Sequence, residues 1–221
     1  MPEGRLAIAS RRYSSWSMRG WLAVRLAGLD VEEVVLPVSG TGRTEAIEAV
    51  SPSGLVPYLE HRGTRVWESL AIIEYCAEIC PPLWPDTRAA RAHARAISAE
   101  MHAGFRALRE AMPMNLGRAD FTGRGRSQGA LADIARIEQI WRETRDAFGA
   151  DGPYLFGAAF GCADAMYAPV VARLLTYAPK LAADTHAYCD AVRAHPLVAA
   201  WYEAVPHEPD AWLITAYENP A

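Results

Sequence analysis

Short apolar runs separated by turn residues fill the first third of the chain. Residues 5–10 (RLAIAS) are apolar between polar flanks, the pattern of a buried strand. Residues 20–28 place Trp21, Leu22, Val24 and Leu26 around Arg25 and stop at Gly28, which predicts a helix with a glycine C-cap. Residues 30–38 (DVEEVVLPV) read as a second strand that Pro37 ends, residues 39–43 as a glycine-containing loop, and residues 44–50 as a short helix. Two further runs, 55–59 and 64–67, flank the turn His61-Arg62-Gly63 and predict a hairpin, with a helix opening directly after it at Glu68-Ser69. Pro81, Pro82 and Pro85 then interrupt the chain. Beyond residue 87 the pattern is helical, at 88–112, 127–148, 163–178, 183–194 and 197–205, with breaks at 113–129, 149–161, Pro179 and Pro196. The reading is an α/β N-terminal domain (residues 1–80), a linker (81–86) and an all-α C-terminal helical bundle domain (87–221).

Composition narrows the function more than the fold. With 221 residues, 51% of them hydrophobic, the chain is long enough to build two modest cores. A net charge of -4, with arginines scattered among acids, leaves no basic stripe, so nucleic acid is not an expected partner. No apolar run approaches the ~18 residues that cross a bilayer, and the hydrophobic part of MPEGRLAIAS is too short for a secretory signal. A cytoplasmic location without a membrane partner is the expectation. Cys76, Cys80, Cys162 and Cys189 form no CxxC pair; Cys76 and Cys80 share a helix face, but cysteine there acts as a small buried hydrophobe, and no metal site is expected.

Two places carry candidate chemistry. Pro57 has no N–H for a strand ladder, which leaves the backbone of Val56 in want of a partner such as an extended, peptide-like ligand. At Glu68-Ser69 a strand passes into a helix, so first-turn N–H groups and the helix dipole favour a carboxylate, while Glu68 attracts an ammonium group. Together they suggest a seat for a small amino-acid or peptide ligand.

SPSGLVPYL followed by WESLAIIEY resembles the glutathione-binding half of the soluble glutathione transferases, and the order strand, helix, strand, helix, hairpin, helix is the thioredoxin-like pattern. The resemblance implies a cis-proline at Pro57, a Glu68-Ser69 pair that holds the γ-glutamyl end of glutathione, and a Val56 backbone that pairs with its cysteinyl unit. Glutathione would be the cosubstrate and a small, partly apolar electrophile the second substrate. A hydroxyl after the first strand would sit beside the sulfur: a thiol with an ordinary pKa of about 8.5 is mostly protonated at neutral pH, and a donated hydrogen bond near a helix N-terminus favours the nucleophilic thiolate. Tyr13, Ser14 and Ser15 compete for that place. The segment Ser14-Ser15-Trp16-Ser17-Met18-Arg19 is similar to the zeta, tau and omega class motifs, whose register selects Ser14; capping of the first helix is the competing use of these serines.

The chain departs from the family pattern at Trp16, where zeta enzymes carry cysteine, and at Leu55, where many members carry lysine. Gly161 replaces the usual Ser or Thr of a capping box and leaves Asp164 to close the start of the helix, a folding role. Trp16, Arg106, Met112 and Asn115 are expected at the electrophile pocket; His102 and Arg109 share a helix face with Arg106, where they would meet an anionic substrate or, the reading preferred here, serve packing or subunit contacts. A homodimer is expected from the family. The alternatives are a zeta-like maleylacetoacetate isomerase or dehalogenase, and a non-catalytic interaction module of the same fold.

Overall fold

A computed structural model of the chain describes residues 1–40 and 42–219. Strand β1 (Gly4–Ala9) lies inside a four-stranded sheet of order β2-β1-β3-β4, pairing parallel with β2 (Glu32–Leu36) and antiparallel with β3 (Tyr58–His61), which pairs antiparallel with β4 (Thr64–Trp67). Leu6, Ala7, Ile8 and Ala9 are all buried, as a strand covered on both faces requires. Helices α1 (Ser15–Leu26), α2 (Glu45–Val50) and α3 (Ser69–Ile79) complete this half, and α1 packs along α3. The mixed sheet and its helices form the expected thioredoxin-like domain, followed by the expected helical domain.

The second half contains α4 (Arg88–Ala103), α5 (Arg106–Ala111), α6 (Gln128–Phe148), α7 (Cys162–Tyr177), α8 (Ala183–Ala194), α9 (Pro196–Ala204) and α10 (Thr215–Glu218). At its centre is α7, where every residue but Leu175 is buried, packed against α1, α4 and α8. Asp164 closes its N-terminus: its carboxylate accepts hydrogen bonds from the backbone N–H of Gly161 (3.0 Å) and Leu155 (3.1 Å) and from the Tyr188 hydroxyl (2.9 Å). Among the described residues no helix is long and apolar enough to cross a membrane.

Three boundaries differ from the sequence expectation. The first helix begins at Ser15, not at residue 20, because the Ser14 side chain caps it by accepting from the Ser17 N–H, and the polar residues of its first turn face into the protein. The predicted helix 88–112 is broken: Phe105 adopts a left-handed conformation (φ 58°) between α4 and α5, and the Arg109 guanidinium donates to the carbonyls of Met101 and Gly104 that the break leaves free. The proline-rich linker contains a single 3-10 turn, Pro81–Leu83. The five-helix bundle is accordingly a seven-helix arrangement among the described residues, with α5 cut from α4 and α10 added after α9.

Candidate active site

A cavity of about 610 Å³ opens where the sheet half meets the helical half. Its walls are the turn between β1 and α1 (Tyr13, Ser14, Ser15, Trp16), the loop after β2, the approach to β3 (Ser53, Leu55, Val56, Pro57), and the start of α3 (Glu68, Ser69). The helical half contributes His102, Ala103, Arg109, Pro113, Met114, Arg173 and Tyr217.

The Val56–Pro57 peptide bond is cis. Pro57 packs against α1 at Gly20, where a Cβ would come within 2.8 Å of the proline ring. Among the described residues the backbone of Val56 makes no hydrogen bond, so its N–H and C=O are available to a ligand strand. Glu68 is held at φ 74°, a conformation non-glycine residues rarely take, and its carboxylate lies 3.4 Å from His102 Nε2 on the helical half. Next to it the Ser69 hydroxyl is buried, lines the cavity and has no hydrogen-bond partner. An unpaired buried hydroxyl at the N-terminus of a helix is a place that an anion would complete.

The three candidate hydroxyls differ in what they already bind. Tyr13 donates to the Glu218 carboxylate at 2.5 Å and accepts from the Ile214 N–H, and burial followed by the Glu218 contact pushes its phenol well above the usual tyrosine range. Its proton is committed to α10. Ser14 accepts from the Ser17 N–H and donates its own proton to the Ser17 hydroxyl at 2.8 Å, which also accepts from the Ala9 N–H at 3.0 Å. Turning the two hydroxyl protons, so that Ser17 donates to Ser14, frees the Ser14 O–H to point at a ligand without losing a contact. Ser15 accepts at 3.4 Å from the buried guanidinium of Arg173, which leaves its own proton free.

Of the residues expected at the electrophile pocket, Trp16 lines the cavity and three others lie elsewhere. Arg106 points into solvent and pairs with Glu110, one turn along α5. Met112 is fully buried in the core, and Asn115 is buried with its amide bound to the Tyr217 carbonyl and the Glu218 carboxylate. After the break at Phe105, Arg106 stands exposed at the first position of α5, while Met112 and Asn115 lie past its end, where the chain turns into the core. His102 and Arg109 line the cavity; His102 meets Trp16 edge to face, and Arg109 lies over the Trp16 ring at 4.7 Å. Burial, with Arg19 and Arg109 nearby, holds the His102 imidazole below its ordinary pKa against the pull of Glu68. Arg173 and Tyr217 were not anticipated. An arginine inside the apolar run Val170-Val171-Ala172-Arg173-Leu174 was the available signal for the first; nothing in the sequence marked the second.

Among the described residues no three His, Cys, Asp or Glu side chains gather as a metal site, and the four cysteines are free. Burial pushes Cys76 up to about 12, in keeping with a packed thiol.

Comparison with known proteins places these features in a family. The model described as "Glutathione S-transferase, N-terminal domain" matches residues 13–79, and "Glutathione S-transferase, C-terminal domain" matches residues 91–204. The chain is 28% identical over 166 residues to a probable maleylacetoacetate isomerase of Caenorhabditis elegans, covering 73% of this chain and 74% of that one. It is 27% identical to the maleylacetoacetate isomerase of Rattus norvegicus, covering 78% and 79%. Among solved structures, a glutathione transferase homolog from Burkholderia gl BGR1 with bound glutathione superposes with a TM-score of 0.68 at 22% identity, over 94% of this chain and 100% of that one. A maleylacetoacetate isomerase from Anaeromyxobacter dehalogenans 2CP-1, with GSH in its active site, gives a TM-score of 0.65 at 25% identity, over 94% and 97%.

Proposed function

The chain belongs to the glutathione S-transferase family, and from that premise we propose that it binds glutathione in the cavity and directs the thiolate, stabilised by a serine hydroxyl, at a small electrophile. Residues 1–80 hold glutathione, residues 87–221 supply the wall against the second substrate, and residues 81–86 join them. The observation that carries the reading is the convergence on one cavity of two unpartnered groups, the Val56 backbone and the Ser69 hydroxyl, with the serines at the mouth of α1.

Each part of the tripeptide then meets a matching group. Its γ-glutamyl carboxylate accepts from Ser69 and the first N–H groups of α3, while its ammonium pairs with Glu68. The cysteinyl unit bonds to the Val56 backbone, and its sulfur lies beside Ser14, with Ser15 next along. Lowering a thiol pKa by two units takes about 2.7 kcal/mol, within reach of one charge-assisted hydrogen bond and a helix dipole. Turning the two hydroxyl protons so that Ser17 donates to Ser14 aligns Ala9 N–H, Ser17 hydroxyl and Ser14 hydroxyl into a chain that would polarise the Ser14 donor toward the sulfur.

The names of the curated relatives favour a second reading, isomerisation of a maleylacetoacetate-type cis-enone acid by reversible thiolate addition. Turnover of such an acid against conjugation of a halogenated aromatic separates the two. We also take the protein to be a cytoplasmic homodimer, with the exposed Trp67 on the edge strand and Ile79 on α3 as candidate contacts.

Calorimetry with glutathione, followed by turnover of Ser14→Ala, tests the proposal. Binding in the micromolar-to-millimolar range and a loss of about a hundredfold in kcat are expected, the size seen when one preorganised oxyanion donor is removed. No binding at millimolar glutathione would end the transferase reading, and full activity in the variant would move the catalytic role to Ser15.

A further inference from the structure

Two guanidinium groups face the cavity and a third lies against its wall; among the described residues none of them forms an ion pair, and only Asp133, acting at longer range on Arg109, offsets their charge. Arg173 is buried, donating from Nε to the Met112 carbonyl at 2.8 Å, from Nη1 to the Pro169 carbonyl at 3.1 Å, and from Nη2 to the Ser15 hydroxyl. Arg109 holds the carbonyls of Gly104 and Met101. Arg19 is fully buried over the Trp16 ring at 4.8 Å; its Nε donates to the Met166 carbonyl, and neither Nη1 nor Nη2 has a partner. Among the described residues none of the three pairs with a carboxylate, whereas arginines such as Arg5, Arg95, Arg106, Arg136 and Arg142 pair with acids near the surface.

Buried charges are ordinarily paired, because an unpaired ion in a poorly hydrated interior is expensive. The cluster feels that cost: burial, then Arg109, lowers the Arg173 pKa to about 9, and burial, then its two neighbours, lowers that of Arg19. Backbone carbonyls and the Trp16 π face offset part of it, but neither supplies a counter-charge. The one acidic side chain lining the cavity, Glu68, is turned to His102. An ion from outside the protein is what would complete the set.

We propose that Arg109 and Arg173 form an anion subsite for a carboxylate of the second substrate, so that the preferred electrophile is an acid and not a neutral apolar molecule. The inference rests on the glutathione reading for the assignment of the remaining cavity. The α-carboxylate of glutathione has its own seat at the start of α3, and the arginines come from α5 and α7 on the helical half, beside Ser15, where a second substrate would meet the sulfur. The carboxylate lies between the guanidiniums, and the rest of the electrophile extends past Trp16 toward Met114 and Tyr217.

The test uses 4-chloro-3-nitrobenzoate and its methyl ester as probes on the full chain, with binding read by quenching of tryptophan fluorescence in the absence of glutathione. The acid binds at least tenfold more tightly than the ester, and Arg109→Gln brings the two within about threefold of each other. Arg173→Gln does the same where it folds; Arg109→Gln, at a half-buried position, and the acid-to-ester ratio of the native chain decide the matter if it does not. An ester that binds as well as the acid overturns the subsite. So does an Arg109→Gln variant that leaves the ratio at its native value. Neither readout needs glutathione, so a native chain that fails to bind glutathione in the calorimeter sinks the transferase reading separately.

Discussion

At the scale of single residues, the most informative group outside the cavity is Asp164. Its carboxyl ordinarily titrates near 3.8 and is pushed up to about 6 because burial disfavours its ionised form, against the hydrogen bonds of Gly161, Leu155 and Tyr188 that favour it. Between those two values the folded protein holds a proton that the unfolded chain has lost. Stability from this group therefore falls as pH rises from about 4 to about 6, by about 3 kcal/mol, and is flat on either side. Asp164→Asn abolishes the titration, so the gap in unfolding free energy between native chain and variant should narrow by about that amount between pH 4 and pH 7; urea unfolding at the two pH values measures it, and a constant gap would refute the assignment. The role of Asp164 was legible because a capping carboxylate acts within its own turn. Arg173 was not, since its meaning lies in Ser15, 158 residues away in sequence. Tyr13 illustrates a different limit: the sequence offered a hydroxyl in the right place, and only the fold revealed that Glu218 already holds its proton.

At the scale of elements, the sheet half was the easier to read, since short apolar runs and turn residues mark strands locally. The start of α1 was missed because Ser15, Ser17 and Arg19 look like a loop, when Ser15 lines the cavity and Ser17 and Arg19 are buried on backbone partners. The break between α4 and α5 was missed because Gly104-Phe105 carries no proline, and a left-handed phenylalanine is not a pattern a sequence declares. One contact between elements makes a sharp forecast. Gly20 on α1 faces the Pro57 ring so closely that an added Cβ would sit 2.8 Å from its Cγ and 3.0 Å from its Cβ, and a proline ring cannot swing aside. In Gly20→Ala the helix gains about 0.5–1 kcal/mol in propensity, while overpacking costs about 1–3 kcal/mol. The cost should win, giving a net loss of about 1 kcal/mol by thermal unfolding. Because the displaced residues adjoin Val56, glutathione affinity should fall with it; a variant more stable than the native chain would show that the interface yields.

At the scale of the whole molecule, neither half has a complete cavity. The sheet half carries the groups that suit a tripeptide, the helical half carries the cations, and the two meet through α1, which packs on α3 and α7 alike. This division is why the tripeptide-holding positions were legible as two short motifs while the opposite wall was not: its residues arrive from α4, α5, α7 and α10, and convergence is a property of the fold. The contact between Glu68 and His102 spans that division. A tripeptide docked there brings one ammonium to Glu68 but two carboxylates into the same cavity, so an acid approaching the arginines meets more negative charge than in the empty site. Occupancy of the two seats is thereby antagonistic: S-methylglutathione should weaken 4-chloro-3-nitrobenzoate severalfold, the acid should weaken S-methylglutathione by the same factor, and added salt should shrink the coupling equally in both titrations.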